Sequence, residues 1–377
     1  MKIARIEIHQ VDLPYAGGTY RLSGGRTYES FDATIVRVMT ECGLEGCGES
    51  TPFGSTYIAA HAKGTRAALE EIAPAVVGLD PRLHDRLNDR MDDALLGHLD
   101  AKTAIDVACW DISGKLQGLP VCDLLGGRVA GPVPLISSIY SSTDPEDMRR
   151  RVAEHRAKGF RGHSVKIGAS EDEGGPGLDA ERITACLADR QRGEFFLADA
   201  NGGMSPEHAL RLLSLLPAGT DIVLEAPCAS WRETLSLRKR TGVPIILDEL
   251  AQTEADVAQI IAEDAADGIG LKVSKQGGLT RCRRQRDMCR AAGLSVSVQD
   301  TVGSEIAFAG VLHLAQSTPR LMLSCALDTR SMVARTTARF DAPIMNGGAE
   351  APALPGLGIE SDLDVLGDPV AVHGDAP

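Results

Sequence analysis

Seven short runs of apolar and β-branched residues end on a side chain able to take part in acid, base or metal chemistry. The run ends are Lys166, Asp199, Glu225, Asp248, Lys272, Asp300 and Asp328. Asp199, Glu225 and Asp248 are consecutive in this series. Three carboxylates brought together away from water repel one another unless a cation neutralises them. An all-oxygen donor set selects a hard ion, and a site that must leave room for substrate suits one Mg²⁺. Lys166 and Lys272 flank the trio. A lysine ending an apolar strand beside a bound cation should have its pKa drawn toward neutrality, which makes each a candidate general base or acid. A lone lysine would serve equally well as a structural ion-pair partner; two around three carboxylates point to catalysis.

The elements that must position these groups follow from their spacing. Successive run ends lie 33, 26, 23, 24, 28 and 28 residues apart, and a strand with its crossover helix takes about 30 residues. With an earlier strand at 132–138 the count reaches eight, enough to close a (β/α)₈ barrel whose C-terminal strand ends share one mouth. All seven polar run ends are expected to project there. A Rossmann sheet is the alternative, but no Gly-x-Gly-x-x-Gly follows a first strand. Pro355-Gly356-Leu357-Gly358 is too short and too late for one, and reads as a loop. The first 125 residues have a different texture. Strands are expected at 2–13 and 33–40, a turn-rich loop at Leu22-Ser23-Gly24-Gly25-Arg26-Thr27, and helices at about 57–74, 83–94 and 100–117. This is a strand-then-helix α+β pattern. The expected division is residues 1–125 as an α+β capping domain, 126–340 as the barrel, and 341–377 as a segment returning to the cap.

Composition narrows the partners. The 377 residues carry 39 Lys+Arg against 52 Asp+Glu, a formal charge of −13, the wrong sign for a sequence-independent nucleic-acid surface. No run approaches the ~18 apolar residues of a membrane span, and the charged start (Met1-Lys2-Ile3-Ala4-Arg5) is unlike a signal peptide. Nine cysteines without a Cys-x-x-Cys pair suggest reduced thiols in a cytoplasm. The basic stretch Arg281-Cys282-Arg283-Arg284-Gln285-Arg286 is expected to form a solvated or subunit face.

These motifs together resemble the mandelate racemase/muconate lactonizing branch of the enolase superfamily over nearly the whole chain. The matching strings are Ala104 to Lys115, Asp199-Ala200-Asn201, Glu225-Ala226-Pro227-Cys228, Leu247-Asp248-Glu249, Leu271-Lys272 with Gly277-Gly278-Leu279-Thr280, and Pro355-Gly356-Leu357-Gly358-Ile359. The resemblance implies an α/β fold: a modified TIM barrel of (β/α)₇β type with an α+β cap. It also implies one Mg²⁺ per subunit held by Asp199, Glu225 and Asp248, and a homo-oligomer acting on a small-molecule carboxylate. Asn201 and Glu249 would orient the metal ligands from behind. Many relatives carry Lys-x-Lys on the second barrel strand, whereas this chain has Ser164-Val165-Lys166. That string, with Leu22 to Arg26 and Gly48 to Gly54, resembles the cis-3-hydroxy-L-proline dehydratases; hydroxyproline-betaine 2-epimerases are neighbours.

The chemistry so implied is removal of a proton α to a carboxylate, with a lysine as base. Lys166 is expected to take Hα and Lys272 to protonate the departing 3-hydroxyl, giving a pyrroline-2-carboxylate. The same pair acting on one carbon would epimerise it. Expected substrate contacts are Ser164, Asp300 as partner of the ring ammonium, Asp328, and the cap aromatics Phe53 and Tyr57. Rival readings are a Schiff-base aldolase using either lysine as nucleophile and a non-catalytic barrel that kept the metal ligands.

Overall fold

The computed structural model of the chain describes residues 1–22 and 25–376; Ser23 and Gly24 of the expected turn-rich loop lie outside the described residues. Eight parallel strands close on themselves: Val133–Ile139, Gly162–Lys166, Phe195–Asp199, Val223–Glu225, Ile245–Leu247, Gly268–Lys272, Ser295–Gln299 and Leu323–Leu327. The last pairs with the first, Ala326 beside Leu135. Most of these runs are apolar on both faces, as strands sandwiched between a filled barrel interior and an outer ring of helices must be. Val165, Ala198, Leu224, Leu247, Leu271, Val298 and Ala326 all belong to this buried core.

Seven connections carry a helix, beginning with Pro145–Ala157 and ending with Glu305–Gln316. The eighth strand is followed only by the 3₁₀ turn Thr329–Met332. The ring is therefore (β/α)₇β. Several helices begin on the residue types that cap orphan backbone N–H groups. Ser230 with Glu233 and Thr253 with Asp256 form capping boxes at the helices Trp231–Arg238 and Glu254–Glu263.

The cap is an antiparallel sheet with three helices, Ala62–Val76, His84–Ala94 and Leu99–Gln117. Its strand order is Ala371–Gly374, Ile3–Pro14, Ser30–Thr40, Glu45–Ser50. The outer partner of Ile3–Pro14 thus comes from the far end of the chain, with Arg5 opposite Gly374. The strand Glu45–Ser50 was not expected from sequence, because glycines weaken a strand interior. Its glycines exist for the neighbouring helix. A Cβ at Gly46 would lie 2.1 Å from the Ala108 carbonyl oxygen, and one at Gly48 2.1 Å from that of Ala104.

Two buried carboxylates tie the cap to the barrel by capping barrel helices. Glu49, 2% exposed, accepts hydrogen bonds from Ser304 N (3.0 Å) and Ala307 N (3.2 Å) at the start of Glu305–Gln316, where the helix dipole favours negative charge. Asp106 accepts from Thr280 N (3.1 Å) and Thr280 Oγ1 (2.6 Å) at the start of Leu279–Ala292.

The basic stretch is half-buried at Arg281, Arg283 and Arg284, and three of its arginines pair within the chain. Arg281 binds both oxygens of Asp92 (2.8 and 2.6 Å) and Arg284 meets Asp85 (2.6 Å), fastening the cap helix His84–Ala94 to the barrel. Arg286 is buried and donates to Ser317 Oγ (2.7 Å) and Leu125 O (3.0 Å). All nine cysteines are free, eight of them buried. Among the described residues no helix is long and apolar enough to cross a membrane.

Candidate active site

In a ring of eight, the second and sixth strands are diametrically opposed, and the third, fourth and fifth fill one arc between them. The sequence therefore sets Lys166 and Lys272 facing each other, with Asp199, Glu225 and Asp248 along one side. Register keeps the ends level: Lys166 lies opposite Asp199, Asp199 opposite Glu225, and Lys272 opposite Gln299. Lys166, Lys272, Asp199, Asp300, Ser164, Phe53 and Tyr57 all line one small cavity at this mouth. Tyr20, Ser138, Gln299 and Thr301 complete its polar and aromatic lining.

Every charged group here is buried and engaged. Lys166 donates to Asp199 Oδ2, and Asp199 Oδ1 accepts from Asn201 N at 2.9 Å. Lys272 is ion-paired with Asp248 Oδ2 and donates to the Tyr57 hydroxyl, which itself donates to Asp248 Oδ2 at 3.1 Å. Glu225 accepts from Gln299 Nε2 at 2.8 Å. Asn201 Nδ2 bridges Asp199 Oδ2 and Glu249 Oε1, both at 3.2 Å. Asn201 therefore links the two neighbouring acids.

Burial alone would lower the pKa of both lysines, yet nearby carboxylates outweigh it. Asp199 chiefly holds Lys166 above the ordinary lysine value, and Asp248 does so for Lys272. Glu225 moves far up, first through burial and then through repulsion by Asp199 and Asp248. Burial, Asp248 and Asp199 push Glu249 up to about 7. For Asp248 burial pulls upward, but Lys272 and Lys275 prevail and hold its carboxyl well below the usual range.

The donor set fits a hard divalent cation. Three carboxylates on adjacent strand ends supply oxygens alone, Glu225 carries the mutual repulsion a cation would relieve, and the buried Oε2 of Glu249 has no hydrogen-bond partner. Among the described residues no three ligating side chains already converge on one point. The lysines instead occupy oxygens of Asp199 and Asp248, neutralising buried charge, while Gln299 hydrogen-bonds Glu225.

The remaining expected contacts divide. Asp300 lines the cavity but is tightly held, accepting from the Ser274 hydroxyl, Ser274 N (3.2 Å) and Thr301 N (2.7 Å). Burial raises its pKa to about 6 against those hydrogen bonds. It does not cap the following helix; Ser304 does. Asp328 is not among the lining residues and is gripped by Arg330 Nε and Nη2 at 3.0 Å each. Of the seven run ends, Lys166, Asp199, Lys272 and Asp300 line the cavity, while Glu225 and Asp248 reach it only through their partners Gln299, Lys272 and Tyr57. Two neighbours of the candidate ligands carried little signal in the sequence. Gln299 adjoins Asp300 and offered no charge to attract notice. Lys275 lies three residues after Lys272, one helical turn on, and that spacing was the available signal; its Nζ is 2.6 Å from Asp248 Oδ1.

Comparison with known proteins agrees with this architecture. Residues 23–126 match the mandelate racemase/muconate lactonizing enzyme N-terminal domain, and residues 147–365 the enolase C-terminal domain-like family. A cis-3-hydroxy-L-proline dehydratase of Roseibium aggregatum is 39% identical over 371 residues, 98% of this chain and 99% of that protein. An N-succinyl-L-Arg/Lys racemase of Bacillus cereus is 28% identical over 97% of each chain. The crystal structure of a mandelate racemase/muconate lactonizing enzyme from Roseovarius nubinhibens ISM, complexed with magnesium, superimposes with a TM-score of 0.98. It is 66% identical and covers 99% of this chain and 100% of that one. With both family models matched in order and the barrel closed as described, this chain belongs to the mandelate racemase/muconate lactonizing branch of the enolase superfamily.

Proposed function

We propose that the protein is a Mg²⁺-dependent dehydratase of cis-3-hydroxy-L-proline. The observation carrying this reading is the pair of lysines on opposed strands facing one cavity that also presents Asp199 and Asp300. It is supported by the 39% identical dehydratase and by the magnesium bound in the 66% identical Roseovarius structure.

Asp199, Glu225 and Asp248 would hold the metal. When bound, Mg²⁺ supplies positive charge that stabilises the negative charge developing on the substrate carboxylate. With Asp199 engaged as a ligand, the charge that chiefly keeps Lys166 protonated would be spent, and burial then favours its neutral amine; Lys272, which faces Glu249 as well as Asp248, keeps its proton. In cis-3-hydroxy-L-proline the hydroxyl shares a face with the carboxylate, so Hα and the hydroxyl are anti. Lys166 takes Hα from one face. The C2–H electron pair becomes the C2=C3 double bond as the C3–O bond breaks, and Lys272, protonated, gives its proton to the leaving hydroxyl on the other face. Water departs, and the enamine tautomerises to a pyrroline-2-carboxylate. Asp300 carries the charge that would face the ring ammonium, and Ser164 keeps the second strand small beside Lys166.

A second reading, 2-epimerisation of proline or hydroxyproline betaine, is favoured by one specific feature. Tyr20, Phe53 and Tyr57 form a continuous aromatic wall of the cavity, with ring centroids 5.2 Å apart for Tyr20–Phe53 and 5.7 Å for Phe53–Tyr57. Such a wall suits a quaternary ammonium. Proton NMR in D₂O with each candidate separates the two. The dehydratase converts free cis-3-hydroxy-L-proline to pyrroline-2-carboxylate. Epimerised betaine with no dehydration product refutes the proposal.

A further inference from the structure

Lys275 is a buried ammonium, 4% exposed, that the mechanism above does not use. It sits in the single helical turn Val273–Gln276 that follows the strand of Lys272. Its Nζ reaches three acceptors: Asp248 Oδ1 at 2.6 Å, the backbone carbonyl of Asp248, and the Gly270 carbonyl at 3.3 Å. Two of the three are backbone, so the ammonium is anchored independently of the carboxylate it grips. The turn is pinned from both sides. Gln276 Nε2 donates to Gly270 O (3.0 Å) and Ala251 O (3.1 Å), and Thr103 of the cap donates to Val273 O (3.2 Å) and Ser274 O (3.1 Å). A Cβ at Gly270 would come within 3.3 Å of Asp248 Oδ1, so the glycine keeps room for that oxygen.

The two oxygens of Asp248 therefore have separate surroundings. Oδ1 is held from behind by Lys275, while Oδ2 faces Lys272 and Tyr57 at the mouth. From this division we infer that Lys275 is a positioning residue for metal binding. It fixes Asp248 so that only Oδ2 is presented to the cation, and by joining the ends of the fifth and sixth strands it sets Asp248 against Lys272. The inference rests on the Mg²⁺ reading above. Losing a group that hydrogen-bonds a metal ligand from behind typically costs about 10–100-fold in metal affinity or activity.

The test is calorimetric titration of Mg²⁺ into metal-free wild type, Lys275→Gln and Lys275→Met, with unfolding temperatures of the metal-free and loaded forms. The expected result is folded variants that bind Mg²⁺ at least 10-fold more weakly than wild type. A purely structural lysine would lower the unfolding temperature of both forms equally and leave affinity unchanged, and an affinity equal to or tighter than that of wild type overturns the inference. A wild type that binds no Mg²⁺ overturns the functional reading and this inference with it; binding by wild type with equal binding by the variants overturns this inference alone. If neither variant folds, the crystal structure of Mg²⁺-loaded wild type decides. Asp248 Oδ1 on Lys275 with Oδ2 toward the ion supports the assignment, and bidentate ligation or release from Lys275 refutes it.

Discussion

Replacing Lys272 with alanine should separate proton abstraction from elimination. The substitution removes one of three partners of Asp248; Lys275 and Tyr57 remain on its oxygens at 2.6 and 3.1 Å. The carboxylate is therefore not abandoned, and the 3–5 kcal/mol expected for orphaning a buried charge should be largely avoided. The corresponding Lys166→Ala leaves Asp199 with Asn201 N at 2.9 Å and Asn201 Nδ2 at 3.2 Å, so both variants should fold. A positioned general acid contributes roughly 10²–10⁴ in rate, or about 2.7–5.4 kcal/mol of barrier at 1.36 kcal/mol per decade. Lys272→Ala should lose turnover of cis-3-hydroxy-L-proline by that factor while Lys166, on the opposite strand, still exchanges Hα. The assay is proton NMR in D₂O, following disappearance of the Hα signal alongside product formation. Lys166→Ala should lose both. Exchange surviving only in Lys166→Ala would reverse the assigned roles. Loss of exchange in both variants would refute independent action from two faces.

Other consequences follow from the same geometry. Asp199→Asn, Glu225→Gln and Asp248→Asn should each abolish turnover with the fold intact by circular dichroism, and EDTA should do so reversibly with Mg²⁺; full activity after dialysis against EDTA would sink the metal assignment. Asp300→Asn should weaken free cis-3-hydroxy-L-proline by roughly 1.5–3 kcal/mol, as for a hydrogen bond to a charged group, read as the change in kcat/KM. Free amino acid should be preferred over betaine, and comparable kcat/KM on the betaine would promote the epimerase reading. Stability should fall on acidification. His313 is fully buried, and burial first of all lowers its pKa to about 4. It accepts from Cys122 N at Nδ1 (3.1 Å) and reaches Leu357 O through Nε2 (3.0 Å), an arrangement that needs the neutral ring. Its folded pKa lies below the unfolded value of about 6.5, so its contribution is present above pH 6.5 and lost progressively down to about 4. Urea unfolding at pH 7 and pH 5 should show a loss of about 2 kcal/mol from this residue. His313→Gln, which keeps a donor and an acceptor without titrating, should flatten that part of the pH profile.

The barrel and its chemical groups were legible because they are local and periodic. A short apolar run with a polar end recurs seven times across six helix-length gaps, and strand order in such a ring follows chain order. Lys166 opposite Lys272, with three acids in one arc, is therefore written in spacing alone. The cap strand Glu45–Ser50 was not, since Gly46 and Gly48 obey the backbone of Leu99–Gln117 rather than any strand preference. Nor was the fate of Asp328, decided by Arg330 two residues on, or of Arg281 and Arg284, decided by acids on a cap helix nearly 200 positions earlier. Tyr57 could be placed near the mouth, but its bridge between Lys272 and Asp248 spans 215 and 191 residues of chain. Sequence determines which groups end the strands, because side-chain type and period act over a few residues. Tertiary structure alone decides which oxygen meets which nitrogen, because a buried charge is satisfied by whatever partner the packed chain brings within about 3 Å.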